Sequence, residues 1–192
     1  MDNMSEFKVT REMVQELAET GAYQLPMSTL PDEAELAEFL CPLSWPNTSV
    51  TSIFTEFANL GIFPDLVDVA KDILKIAYPK SNQWSRVRQQ TFRIPGVSPR
   101  KYKPHQDGGG DLSGISVIFT KGKHTDEQLL TMGRAAIYRD PQSFYYRNGP
   151  VVITQKDFGK PLLKPHDYLG ATWHLAKRLA DSRVGVLDFF LD

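Results

Sequence analysis

The order of segments predicts an α+β fold in which helices come first and a barrel or jelly-roll sheet follows. Three observations carry that reading. Apolar residues recur with the helical period up to about residue 80. Beyond it, short runs rich in β-branched and aromatic residues take over. Those runs are separated by Asp140-Pro141, Asn148-Gly149-Pro150 and a Gly/Pro-broken stretch through Gly159, Pro161, Pro165 and Gly170. A length of 192 residues favours one domain, with residues 1–80 as mainly helical support and 81–192 as a β-rich core.

Thr10 to Thr20 reads as a helix, with Met13, Val14, Leu17 and Ala18 in one stripe and Gly21 as its stop. Tyr23 to Pro26 looks extended. A short helix is expected over Asp32 to Leu40, after Pro31, and another over Val50 to Leu60 before Gly61. Pro64 begins a stronger helix, in which Leu66, Val69, Ala70, Ile73, Leu74 and Ala77 keep the period until Pro79. In the second half, strands are expected at Val87–Ile94, Ile115–Thr120, Ala135–Arg139, Phe144–Arg147, Val151–Gln155 and Val184–Leu191. Thr125 to Leu130 reads as a helix start.

Hydrophobic residues make up 41% and charged residues 23%, an ordinary soluble mixture with enough apolar material for a substantial core. No apolar run approaches a membrane span, and residues 1–10 have no secretory pattern. A single cysteine, Cys41, excludes an internal disulfide and a zinc-finger framework, and a cytoplasmic setting is expected. The net charge of −1 is unevenly spread. Residues 1–40 hold nine acids and two bases, whereas residues 73–106 hold eight cations and no acid. That basic block suits either an anion-attracting rim or a solvated strand face.

The basic block ends at Lys103-Pro104-His105-Gln106-Asp107-Gly108-Gly109-Gly110. In an extended segment the side chains of His105 and Asp107 leave the same face, because side chains alternate with a period of two. One imidazole and one carboxylate are two-thirds of an iron-binding facial triad. His124-x-Asp126 repeats the pattern, but it precedes Leu129-Leu130 and reads as a helix cap. The third ligand must come from another strand, from His166 or His174. His166 lies in a turn-rich loop, Lys164-Pro165-His166-Asp167, while His174 follows Thr172-Trp173 and precedes the final strand. Arg183 stands nine residues after His174, and an arginine there suits a carboxylate held bidentately. Alternation places Arg183, Gly185 and Leu187 on one face of that strand and Val184, Val186 and Asp188 on the other.

His105-x-Asp107, then His174, then Arg183 on a terminal strand resembles the iron(II)- and 2-oxoglutarate-dependent oxygenase superfamily. The resemblance covers most of residues 85–192. It implies a double-stranded β-helix, iron(II) held by His105, Asp107 and His174, and 2-oxoglutarate bridging from the metal to Arg183. It also implies oxidation of a substrate with release of succinate and CO2. The small polar residue usual two places after the arginine is Gly185 here, so the further cosubstrate hydrogen bond falls to Tyr102, Ser116 or Tyr138. Asp107 argues against the related halogenases, which have a small residue at that position.

Aromatic and basic residues near the motif suit a small-molecule substrate, anions included. Nucleic acid is less favoured, because no RNA-binding motif is present and the isoelectric point is near 6.4. Two other classes stay open. One is a non-catalytic module binding anions or nucleic acid through residues 75–103, with affinity that falls with salt. The other is a cupin-like metalloenzyme that needs no 2-oxoglutarate and no Arg183.

Overall fold

The computed structural model describes residues 7–32, 52–55, 63–80, 84–90, 105–106, 113–122, 130–132, 143–145, 149–155, 158–159, 172–175 and 182–191. The first helix, α1, spans Arg11–Thr20. The Thr10 side chain caps it by accepting from the Met13 backbone N–H at 3.2 Å. Gly21 closes it with a positive φ of 84°, and its N–H returns to the Leu17 carbonyl at 2.8 Å. The second described helix, α2, spans Pro64–Ala77 with proline in its first turn. Its stripe of Leu66, Val67, Val69, Ala70, Ile73, Leu74 and Ala77 is buried. Its opposite side carries the exposed ion pairs Asp68–Lys71 and Asp72–Lys75, at 3.5 and 3.2 Å. Such pairs add only a few tenths of a kcal/mol each.

Among the described residues there are ten strands: β1 Ala22–Gln24, β2 Ser52–Thr55, β3 Trp84–Gln90, β4 His105–Gln106, β5 Ser113–Gly122, β6 Leu130–Met132, β7 Ser143–Tyr145, β8 Val151–Thr154, β9 Trp173–Leu175 and β10 Ser182–Leu191. They form a six-stranded sheet in the order β1-β8-β5-β10-β3-β2 and a four-stranded sheet in the order β4-β9-β6-β7. Every described pairing is antiparallel. A three-residue 3-10 turn, Met27–Thr29, follows β1.

The long strands β5 and β10 form the middle of the larger sheet, and both of its sides are buried there. On one side Ile115, Val117 and Phe119 of β5, Val152 of β8 and Leu187 and Phe189 of β10 join the stripes of α1 and α2 in one core. Phe63, just before α2, meets Phe119 with ring centroids 5.6 Å apart. On the other side Ser116, Ile118, Val151, Ile153 and Asp188 are also buried. Burial on both sides explains why these strands read as nearly continuous apolar runs. Among the described residues, no helix is long and apolar enough to cross a membrane.

Two expectations are corrected. Within the helix expected over Val50–Leu60, the described residues Ser52–Thr55 are instead the edge strand β2, in register with β3 from Ser52 opposite Gln90 to Thr55 opposite Val87. The mix of β-branched and aromatic residues there takes its conformation from its sheet partner rather than from local preference. Leu130, read as part of a helix start, begins β6. The expected elements at Asp32–Leu40 and Ala135–Arg139 lie outside the described residues, except for Asp32 itself.

Candidate functional site

The smaller sheet brings together two residues that the sequence separates by 69 positions. His105 of β4 is the direct antiparallel partner of His174 of β9. His174 is in turn opposite Thr131 of β6, and Thr131 is opposite Phe144 of β7. One row across four strands therefore reads His105, His174, Thr131, Phe144. Directly opposed residues in an antiparallel ladder share a side of the sheet, with Cβ atoms about 4.5–5.5 Å apart. His166, the other candidate for the distal position, lies outside the described residues, as do Asp107, Tyr102, Tyr138 and His124.

Arg183 is the second residue of β10 and stands opposite Lys121 of β5. Like charges at directly opposed positions of a ladder are destabilising, by up to about 1 kcal/mol. By alternation the position belongs with Gly185, Leu187 and Phe189. Leu187 and Phe189 pack beneath the helices, so the side of β10 that holds Arg183 is the helix-covered one farther along.

Ser116 is not available to a cosubstrate. It is fully buried, donates its hydroxyl proton to Asp188 Oδ1 and accepts from Gln155 Nε2. In register, Asp188 lies between Ser116 on one flank and Arg88 on the other. This buried polar row was not foreseen from the sequence. A signal for it was present, since Asp188 interrupts an apolar run where only a hydrogen-bonded acid is tolerated.

A second polar group was also missed. Thr172, the residue before β9, is completely buried, and its backbone N–H donates to the Thr154 carbonyl at 3.0 Å. Its hydroxyl donates to the Gly21 carbonyl and lies 2.7 Å from the Thr154 hydroxyl. Thr154 ends β8 in the larger sheet, so these bonds join the larger sheet to the approach of the strand that carries His174.

The donor set fits iron(II). Two imidazoles on adjoining strands, with a carboxylate two residues beyond one of them, are the ligand types of the facial triad. Among the described residues no cluster of three metal-ligating groups is found, and Asp107 is not among them.

No protein-family model and no curated protein matches the sequence. Solved structures do match. A Pseudomonas putida prolyl-4-hydroxylase aligns over 100% of this chain and 96% of its own, with a TM-score of 0.58 and 13% identity. A 2OG-Fe(II) oxygenase family oxidoreductase from Burkholderia pseudomallei aligns over 96% of this chain and 91% of its own, with a TM-score of 0.58 and 15% identity. A non-heme alpha-ketoglutarate-dependent carbocyclase of nogalamycin biosynthesis aligns over 96% and 84%, with a TM-score of 0.54 and 14% identity. The chain thus has the fold of 2-oxoglutarate- and iron(II)-dependent oxygenases, in agreement with the resemblance carried by His105, Asp107, His174 and Arg183.

Proposed function

We propose that this chain is an iron(II)- and 2-oxoglutarate-dependent dioxygenase that oxidises a small-molecule substrate and releases succinate and CO2. The observation that carries the reading is the register of His105 directly opposite His174. In this reading residues 1–192 act as one unit, a double-stranded β-helix supported by the N-terminal helices. His105, Asp107 and His174 hold the metal. Three protein ligands leave three positions, enough for a bidentate cosubstrate and dioxygen. Bound iron supplies the activation of oxygen that no side chain can provide. The protein's own share is to place the ligands, orient the cosubstrate and keep the reacting centre from solvent.

Arg183 takes the far carboxylate of 2-oxoglutarate. The facing positions of Arg183 and Lys121 support an anion at that end of β10, and Tyr102 and Tyr138 remain as candidates for a hydrogen bond to it. The structural matches include a prolyl hydroxylase and a carbocyclase. A shared fold therefore does not choose the substrate. The basic segment 73–106 favours anionic small molecules over neutral ones.

The test is anaerobic thermal stabilisation by iron(II) with and without 2-oxoglutarate. At a hundredfold excess over Kd a ligand adds about 2.7 kcal/mol. For a chain of this size that raises Tm by about 5–11 °C. His105→Ala, Asp107→Ala and His174→Ala each abolish the iron-dependent shift. Unchanged shifts in all three sink the triad. Arg183→Ala keeps the iron shift and loses the additional one from 2-oxoglutarate. If it keeps both, the cosubstrate assignment is wrong. Succinate formation from 2-oxoglutarate then separates an oxygenase from a cupin-like enzyme with the same ligands.

A further inference from the structure

The joint between the two sheets yields an inference that rests on the metal reading above. Thr172 precedes His174 by two residues and is completely buried. Its hydroxyl has one proton, and that proton goes to the Gly21 carbonyl. The short contact between the two threonine hydroxyls, 2.7 Å, therefore takes its proton from Thr154. The Thr154 N–H points at the same place, 3.0 Å from the Gly21 carbonyl and 3.3 Å from the Thr172 hydroxyl. The Thr154 N–H is thus shared between the Gly21 carbonyl and the Thr172 hydroxyl, and each of the two hydroxyl protons has an acceptor within the group.

The group ties three distant parts of the chain. Gly21 ends α1, where its positive φ turns the chain from the helix into β1. Thr154 ends β8 of the larger sheet. Thr172 leads into β9, whose His174 is opposite His105. Buried, fully paired hydrogen-bond groups hold their members in a single geometry, because any shift leaves a desolvated donor or acceptor without a partner.

We propose that Thr172 is a positioning residue for the metal row: its hydroxyl fixes the start of β9 against Thr154 and Gly21, and so sets where the His174 position stands relative to the larger sheet. The end of α1 thereby becomes part of the metal site's support, although no helical residue is a ligand. Thr172 touches neither metal nor substrate, and it acts through β9.

Anaerobic titration with cobalt(II), followed by its visible bands, tests this without turnover. Thr172→Val keeps the shape and removes the hydroxyl. It is expected to weaken cobalt affinity about tenfold, the lower range for groups that orient metal ligands, and to shift the bands. Thr172→Ser is expected to stay within about threefold of wild type. Ile73→Val in α2 loosens the helix-side core and is expected to leave affinity and bands unchanged. Wild-type affinity and bands in Thr172→Val overturn the proposal. So does an equal loss in Ile73→Val, which would mark a general softening of the fold. If Thr172→Val does not fold, Thr154→Val is read instead, with about a threefold loss expected and no loss overturning the idea. A wild-type chain that binds no cobalt overturns the metal reading together with this one. A wild type that binds it, with His174→Ala losing it and Thr172→Val keeping it, overturns the positioning role alone.

Discussion

Removing the Ser116 hydroxyl is the sharpest test of how the larger sheet is held together. Ser116 is fully buried, with Asp188 at 4% and Gln155 at 2% exposure, so no solvent replaces what Ser116→Ala deletes. Two bonds disappear at once, one to the Asp188 carboxyl group and one from the Gln155 amide. A hydrogen bond to a charged group contributes about 1.5–3 kcal/mol, and a buried amide N–H deprived of its acceptor costs about 1–3 kcal/mol. The expected loss is therefore about 3 kcal/mol. That is a large part of the roughly 5–15 kcal/mol that holds a typical domain together. Urea denaturation followed by circular dichroism reads the loss directly. For a chain of this length the same loss lowers Tm by about 6–12 °C. Ser28→Ala makes the same chemical change on an exposed side chain and should stay within about 0.5 kcal/mol of wild type. A cycle with Gln155→Ala should show coupling of at least about 1 kcal/mol. If Ser116→Ala behaves like Ser28→Ala, the hydroxyl does not stand between Asp188 and Gln155 and the buried polar row is wrong.

Other outcomes follow from the helices and turns. Thr10→Ala removes the cap of α1 and should cost about 1 kcal/mol in urea melts. The Glu12 carboxyl is held below the usual carboxylate range, chiefly by its own backbone hydrogen bond, with the Thr10 hydroxyl and Arg11 adding to it. Its stabilising effect is thus present at neutral pH and lost as pH falls through that lowered value. In Thr10→Ala the Glu12 titration, followed by NMR, should move upward. Gly149→Ala forces a side chain onto a φ of 138° with its Cβ 1.9 Å from the Leu25 carbonyl oxygen, and should destabilise by roughly 2–4 kcal/mol. Ile73→Ala empties a fully buried site beneath the sheet and should cost about 2–5 kcal/mol, leaving a stability like wild type as the result that contradicts the core.

How far the sequence could be read depended on whether a feature was local. The stripes of α1 and α2 were legible because each helix buries one face, which imprints a 3.6-residue period. The strands β5 and β10 were legible because burial on both sides leaves an uninterrupted apolar run. Ser52–Thr55 misled because an edge strand takes its conformation from β3, and that partnership is absent from the segment's own pattern. His174 was preferred as the partner of His105 from the chemistry of a triad, but the sequence kept His166, in its turn-rich loop, as the alternative. Strand register is what brings His174 opposite His105. Alternation grouped the Arg183 position with Leu187, yet it could not say which side of β10 the helices cover. Thr154 read as an ordinary strand residue and Thr172 as the lead-in to His174. The Thr172 hydroxyl gains its meaning only from a carbonyl 151 positions away in the chain, and the Thr154 hydroxyl from Thr172.

The position of β10 in its sheet has a consequence for the order of assembly. It is the last described strand along the chain, yet it lies between β5 and β3, and only through it do β3 and β2 join β1, β8 and β5. A ribosome delivers the two flanks well before the piece that unites them. Until residues 182–191 emerge, two half-sheets with exposed inner edges must avoid other partners, the state in which unpaired strands aggregate. Nothing local can hasten the closing step, because it waits on contacts between β10 and strands far earlier in the sequence, β5 and β3. Nascent chains arrested before residue 182 should therefore be protease-sensitive and prone to associate, and those released after residue 191 should not.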